Sequence, residues 1–188
     1  MKRSGQLKFE GDFFKGSKAF GGILLKKAKN RHGRPLSTKL PIHLVLKSLQ
    51  ARGAFSFYKP ANRTIIQHSI KTLSQRYGVQ VLQFANGGNH LHLLIRLSNR
   101  FAYSSFIRAL SGTIALKVTG ANKFKGLKKK FWDHRPFTRI VVGWHGYQIA
   151  KDYVLLNALE ALKIIPYQKN RLKGLSGLPL HRLLESSG

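Results

Sequence analysis

The chain has 188 residues, and 34 Lys and Arg against 6 Asp and Glu give it a formal net charge of +28. Self-repulsion of that size in a compact protein indicates a polyanionic partner, and nucleic acid is the first candidate. The absence of cysteine excludes disulfides, thiolate metal sites and thiol catalysis, and the scarcity of carboxylates disfavours a nuclease site built from several acids.

The first part of the chain is basic, and a regular spacing of apolar residues begins after it. Residues 1–39 are rich in Lys, Arg, Gly and Ser, and we interpret them as an N-terminal arm. Apolar residues alternate over residues 40–49, which predicts the first strand. Apolar spacing then predicts a helix over residues 62–76, with Asn62 as its N-cap and Gly78 as its stop.

Two strands follow with a short connection between them. Residues 79–84 are rich in β-branched and apolar types, which favours a strand. The Asn-Gly-Gly sequence at residues 86–88 is typical of a tight turn. Residues 89–97 alternate again, so we expect the two segments to pair as an antiparallel hairpin.

The second half of the chain continues with a helix, a strand and a last helix. Spacing predicts a helix over residues 100–118, then a basic linker over residues 123–130. Residues 131–142 look extended, and residues 147–165 have the apolar spacing of a third helix. Residues 166–188 are again basic, and we interpret them as a C-terminal tail.

This order of elements predicts the fold class. Strand, helix, strand, strand, helix, strand fits an α+β, ferredoxin-like split β-α-β domain over residues 40–165, with two helices on the apolar face of an antiparallel sheet. An additional C-terminal helix follows. No apolar run approaches the roughly 20 residues of a membrane-spanning helix. The N-terminus also lacks the apolar centre of a secretory signal, so we expect a cytoplasmic, nucleoid-associated protein with no membrane partner.

The strand at residues 89–97 carries a candidate metal site. Side chains alternate along a strand, so His90 and His92 share one face while leucines and an isoleucine form the other. Packing of the apolar face fixes the register and makes the strand a rigid support for both imidazoles. Two adjacent imidazoles suit a divalent metal. The alternative is that both are ordinary satisfied polar residues.

The last predicted helix carries a candidate nucleophile. Tyr153 and Asn157 are four residues apart and therefore lie on one helix face. A tyrosine hydroxyl can attack a phosphodiester, and an Asn carbonyl one turn away could be a third, neutral metal ligand. Tyr147 and Tyr167 are weaker candidates because a cationic residue occupies the corresponding fourth position. The alternative for Tyr153 is a packed aromatic side chain.

Three short motifs, which contain the histidines, the basic and aromatic residues and the tyrosine, follow one another along the chain. They are Asn-His-Leu-His-Leu-Leu-Ile at residues 89–95, Phe-Trp-Asp-His-Arg at residues 131–135 followed by Arg139, and Asp-Tyr-Val-Leu-Leu-Asn at residues 152–157. With them, residues 40–162 resemble the single-tyrosine HUH transposases, the Y1 group of insertion-sequence transposases and their repeat-associated relatives.

The resemblance implies a site and an activity. In that family two histidines and a polar residue four positions after the tyrosine hold Mg²⁺ or Mn²⁺, and these roles would fall on His90, His92 and Asn157. The tyrosine, here Tyr153, would cut single-stranded or hairpin DNA through a 5′-phosphotyrosine. The resemblance also implies a homodimer.

Basic and aromatic residues before the last helix are candidates for DNA binding. Single-stranded DNA is held by cationic grooves and by aromatic side chains that stack on bases. A solvated charge run with Trp132 in the core is an equal alternative. The candidates are Lys123, Lys125, Lys128, Lys129, Lys130, Trp132, Arg135 and Arg139.

Two other functions fit the same sequence. A non-catalytic nucleic-acid-binding protein, such as a ribosome-associated RNA binder, would account for the charge but has no use for the His, Tyr and Asn set. A rolling-circle replication initiator or relaxase would share the chemistry. A second tyrosine close to the first would favour that alternative.

Overall fold

The molecule is built on an antiparallel sheet with helices on both faces. The computed structural model describes residues 19–22, 24, 33–122, 124, 126 and 129–166. Within them, the strands are β1 (Ala19–Phe20), β2 (Ile42–Lys47), β3 (Val79–Asn86), β4 (His90–Leu97) and β5 (Phe137–Ile140). The helices are α1 (Pro60–Arg76), α2 (Arg100–Thr119) and α3 (Gly143–Ala161), with a short 3₁₀ turn at Gly53–Phe55. Of the helices described, none is long and apolar enough to cross a membrane.

The order of the strands gives the topology. They lie in the order β1-β5-β2-β4-β3, and each neighbouring pair is antiparallel. Strand β4 therefore lies between β2 and β3, which run parallel to each other and are joined through α1. This is the split β-α-β layout, and the predicted α+β, ferredoxin-like class is confirmed.

The first helix begins earlier than the sequence predicts. Pro60 occupies the first turn of α1, where its fixed φ suits the helix and its missing N–H is not needed. Asn62 is therefore inside the helix and is not its N-cap. Its Nδ2 donates 2.9 Å hydrogen bonds to the carbonyls of Ala54 and Ser56. Gly78 follows the helix with a φ of 64°, so the predicted stop is confirmed.

The elements of the second half differ from prediction mainly at their ends. Helix α3 begins at Gly143 and ends at Ala161, four residues before each predicted limit. Strand β5 covers only the end of the predicted extended segment. Its earlier part follows the end of β2, where Asp133 accepts a 2.7 Å hydrogen bond from the Leu49 N–H and donates its own N–H to Lys47. The pairing of β5 with β2 involves only Phe137 to Ile140.

One face of the sheet forms the hydrophobic core with α1 and α2. The apolar residues of β4 on this face are 0–2% exposed, as are those of β2 beside them. They are Leu91, Leu93, Ile95, Leu97, Ile42, Leu44 and Leu46. Because a one-residue slip would turn all of these side chains to the other face, their burial fixes the register of β2 and β4.

Part of the predicted arm contributes to the sheet. Residues Ala19–Phe20 form the edge strand β1, which pairs with β5 and was not expected from composition. Arg34 supports this edge, since it donates hydrogen bonds of 2.8 Å to the Pro136 carbonyl and 2.6 Å to Thr138 Oγ1. Its guanidinium also lies 4.5 Å from the centre of the Phe20 ring. The division into arm, domain and tail stays a prediction, and residues 167–188 lie outside the described part.

Candidate active site

The two predicted metal ligands lie together on the sheet face opposite the core. The ring centres of His90 and His92 are 4.9 Å apart, and the ring planes are nearly perpendicular at 86°. His92 is 5% exposed, while His90 is half-buried. Both side chains project from β4, whose other face is packed against the core. The backbone that carries them is therefore held firmly in place.

Helix α3 brings the predicted nucleophile to these histidines. It packs against β3 and β4, on the face that α1 and α2 leave uncovered. The Tyr153 ring centre lies 5.4 Å from that of His92, with the planes at 78°. Two histidines of β4 and a tyrosine about sixty residues later in the sequence thus meet within one chain.

Asn157 follows one turn later on α3 and is buried, with 8% of its surface exposed. Its Nδ2 donates a 2.6 Å hydrogen bond to the Tyr153 carbonyl. That bond orients the amide group, so Oδ1 is the end with the lone pairs that a cation requires. The local geometry of the helix thus links the candidate nucleophile and the candidate third ligand.

A third histidine, which the sequence analysis does not identify, completes the cluster. The His43 ring on β2 stacks on the His92 ring with centres 5.3 Å apart, and its Nε2 is 3.1 Å from His92 Nδ1. The His43 ring also meets the Tyr153 ring edge-on at 5.7 Å. Burial, and then the nearby charge of Arg139, lower the pKa of His43 from 6.5 to about 4, so this imidazole is neutral at physiological pH.

The signal for His43 was present in the sequence of β2. His43, Val45 and Lys47 alternate with fully apolar residues, so they share the face opposite the core. In the sheet, Lys47 pairs with His90 and Val45 pairs with His92. A polar position on such a strand is informative only once its neighbour in the sheet is known.

The His90 ring is held by the turn that precedes it. Its Nδ1 lies 2.7 Å from the Asn89 side-chain oxygen. The backbone of Gly87 lies directly against the ring, because a Cβ atom at that position would overlap the imidazole. A larger residue at Gly87 would therefore displace the ring, so this glycine serves close packing.

Cationic side chains border the histidines. Lys47 is directly opposite His90 across the β2–β4 pair, and Arg139 is opposite His43 across the β2–β5 pair. Directly paired residues have their side chains on one face with Cβ atoms about 5 Å apart. Partial burial lowers the pKa of Arg139 to about 10, which leaves it protonated at neutral pH. This face of the sheet is therefore suited to a phosphate group.

The donor set fits a divalent metal with open positions. In the described part of the chain, no three His, Cys, Asp or Glu side chains converge as a metal site. A metal at this place would therefore depend on the two imidazoles of β4 and a neutral amide. Both imidazoles have Nδ1 close to a hydrogen-bonding atom, which is the usual arrangement for histidines that bind metal through Nε2.

The predicted DNA-binding residues are found in different environments. Lys123, Lys125 and Lys128 lie outside the described residues. Lys129, Lys130 and Arg135 are exposed, and Arg139 is half-buried on the histidine face.

The aromatic candidate Trp132 packs into the fold. Its Nε1 donates a 2.9 Å hydrogen bond to the Ser111 carbonyl, and its ring centre is 5.9 Å from that of Phe57. These contacts favour the core alternative. Trp144, at the start of α3, is 73% exposed and stacks on Tyr147 at 5.6 Å, so it is the more accessible tryptophan.

Comparison with known proteins gives the family. The model of the family described as "Transposase IS200 like" matches residues 37–155, which is more than half of the chain. The chain belongs to the IS200-like transposase family. This match covers β4, β5 and α3 up to the candidate nucleophile. The resemblance to Y1 transposases is thereby confirmed. A separate search of curated proteins gave no match in sequence.

Comparison with solved structures gives one match with a similar fold. The structure of a REP-associated tyrosine transposase bound to a REP hairpin matches with a TM-score of 0.54 at 15% identity, covering 81% of this chain and 84% of that one. A crystal structure of a proposed transposase from Deinococcus radiodurans R1 has a TM-score of 0.42 at 15% identity, covering 68% of this chain and 98% of that one.

Proposed function

We propose that this transposase nicks and rejoins single-stranded DNA through a 5′-phosphotyrosine on Tyr153, with Mg²⁺ or Mn²⁺ held by His90, His92 and Asn157. The observation that carries the proposal is the position of the Tyr153 ring, 5.4 Å from the His92 ring within one chain. A packed aromatic residue with no chemical role would not require two imidazoles beside it.

In the proposed cleavage step, the Tyr153 oxygen forms a bond to the phosphorus of the scissile phosphodiester and the phenol proton is lost. The bond from phosphorus to the 3′ oxygen breaks, and that oxygen takes up a proton and leaves as a 3′-hydroxyl. The bound metal would polarise the phosphate oxygens. The phosphotyrosine keeps the bond energy, so a 3′-hydroxyl can attack it and restore a phosphodiester.

The cationic side chains of the histidine face are suited to hold the substrate phosphate. Lys47 and Arg139 border the cluster on β2 and β5. Each could neutralise charge that develops on the phosphate during transfer. The +28 charge of the chain would gather DNA more generally, and it supports residence at the nucleoid.

Hairpin DNA is the substrate form that we propose. The transposase with TM-score 0.54 is bound to a REP hairpin in its structure. A hairpin presents single-stranded flanks in which the phosphodiester is accessible. One chain supplies both the histidines and the tyrosine, so a single protomer has all four proposed site residues, and the homodimer remains a prediction.

The test is covalent trapping on single-stranded hairpin DNA. With Mg²⁺ or Mn²⁺ present, the wild-type protein should form an adduct with the 5′ side of the cut, detected by denaturing electrophoresis and mass spectrometry. Tyr153→Phe should form none while still binding DNA, because only the attacking oxygen has been removed.

Tyr147→Phe is the matched control, since it makes the same substitution on the same helix. Tyr147 stacks on Trp144 at 5.6 Å, and this variant should retain the adduct. Full nicking by Tyr153→Phe would contradict the mechanism. Loss of the adduct in both variants would favour a two-tyrosine mechanism like that of rolling-circle initiators.

A further inference from the structure

The two candidate metal ligands are supported in different ways. His90 Nδ1 faces the Asn89 side-chain oxygen at 2.7 Å, and an amide oxygen can only accept a hydrogen bond. His90 therefore has its proton on Nδ1 and its lone pair on Nε2. His92 Nδ1 faces His43 Nε2 at 3.1 Å, and an imidazole nitrogen can either donate or accept.

This ambiguity has a chemical consequence for His92. If His43 Nε2 accepts, His92 carries its proton on Nδ1 and its lone pair on Nε2, as His90 does. If His43 Nε2 donates, His92 has its proton on Nε2, and that nitrogen cannot bind a metal. Only the first arrangement leaves both histidines of β4 with a lone pair on Nε2 that can bind a metal.

The sheet register brings His43 within reach of His92. His43 pairs with Leu94 while Val45 pairs with His92, so the two histidines are diagonal neighbours on one face. Diagonal neighbours are within reach of aromatic side chains. Because Nδ1 and Nε2 point from different edges of an imidazole, a group hydrogen-bonded to Nδ1 lies away from a metal bound at Nε2.

We propose that His43 is a positioning residue whose Nε2 accepts a hydrogen bond from His92 Nδ1, which fixes His92 in the tautomer that binds the metal through Nε2. The near-parallel stacking of the two rings, at 15°, also holds the orientation of His92. The inference rests on the proposed function for the metal. The hydrogen bond itself can be tested without it.

The first test is the tautomer of His92 in the metal-free, full-length protein. Long-range ¹H–¹⁵N NMR correlations distinguish a proton on Nδ1 from one on Nε2, and the spectra of His90→Gln and His92→Gln would assign the two signals. We expect Nδ1–H for both residues. A proton on His92 Nε2 would overturn the proposal, whatever the protein does to DNA.

The second test separates the hydrogen bond from simple packing. His43→Gln can place an amide oxygen near the position of the imidazole Nε2, whereas His43→Leu fills the space but accepts nothing. Loss of such a partner typically weakens metal binding about 10- to 100-fold. We expect that rise in the Mn²⁺ dissociation constant for His43→Leu, measured by calorimetry or by electron paramagnetic resonance, and largely restored affinity for His43→Gln.

The control is His68→Leu, because His68 is exposed on α1 and contacts Thr72 of the same helix. Its affinity for Mn²⁺ should equal that of the wild type. Equal affinity in His43→Leu, or an equal loss in His43→Gln and His43→Leu, would overturn the positioning role. Failure of the wild-type protein to bind Mn²⁺ would instead refute the metal assignment in the proposed function, while the tautomer would still decide the His43 contact.

Discussion

The two faces of β4 differ in what their residues require from their surroundings. On the core face, Leu91, Leu93 and Ile95 are fully buried against apolar neighbours. Packing of this kind is non-directional, and many apolar arrangements satisfy it. On the other face, His90 and His92 each meet one particular acceptor or ring at a defined distance. Because side chains alternate along β4, one face of the strand packs in the core and the other carries the candidate site.

The largest difference between the faces should be seen in cleavage after His90→Ala and His92→Ala are combined. The double variant removes two of three proposed protein ligands, so cleavage of hairpin DNA should fall by at least about 100-fold. The free energy of unfolding should change little in comparison, because the core face of β4 is untouched. Single-turnover cleavage at saturating DNA measures the first quantity, and chemical denaturation measures the second.

Cleavage that withstands both the double substitution and a chelator would mean that no metal mechanism operates here. Asn157→Ala provides a graded comparison on the same site. Its effect on cleavage should be smaller than that of either histidine, because water can replace a neutral oxygen ligand.

The opposite result is expected from Leu93→Ala on the core face. Truncation of a fully buried leucine typically lowers the free energy of unfolding by about 2–5 kcal/mol. Leu93 is 0% exposed and belongs to the main core, so we expect a loss in that range. At a temperature where the variant is folded, its cleavage rate at saturating DNA should stay close to that of the wild type. A large drop in that rate would show that the two faces are coupled through the strand.

The faces should also differ in their response to pH. The pKa of His43 is about 4 in the folded protein against an ordinary 6.5, so the unfolded chain binds the additional proton between these values. Stability from this group is therefore complete above pH 6.5 and is lost as the pH falls towards 4, by about 3 kcal/mol in total. Urea unfolding of the metal-free protein should show this loss on acidification.

His43→Leu removes that contribution and keeps every other titratable residue in the chain, although His92 loses its contact with His43. The difference in unfolding free energy between wild type and His43→Leu should shift in favour of the variant as the pH is lowered. A constant difference from pH 7 to pH 4 would show that the His43 imidazole is not kept neutral by burial.

Local patterns were enough to predict much of the fold and to select the residues of the candidate site. The alternation along β4 identified both histidines and the core face, and Gly78 marked the end of α1 with a φ of 64°. These signals act within a few residues, and the backbone conformations that they require are narrow. The ordered motifs then indicated that Tyr153 should meet the histidines.

What the sequence did not predict depends on distant partners. His43 acquires its role through a contact with a residue 49 positions later. Strand β1 exists through pairing of Ala19 with Arg139, across most of the chain. Helix α3 begins at Gly143, four residues before the predicted start, and the φ of 71° at this position is one that glycine adopts readily.

The smallest predicted effect extends the comparison to a pair of tryptophans, one packed and one exposed. Trp144 is 73% exposed and supported by Tyr147, so it can stack on a base of single-stranded DNA. Trp144→Ala should weaken binding to single-stranded DNA by about 1–3 kcal/mol and leave the free energy of unfolding unchanged. Trp132→Ala should do the reverse, because it removes the hydrogen bond to Ser111 and the contact with Phe57. Fluorescence anisotropy and urea denaturation on both variants distinguish these outcomes. Weaker DNA binding by Trp132→Ala at unchanged stability would restore Trp132 as the DNA-contacting residue.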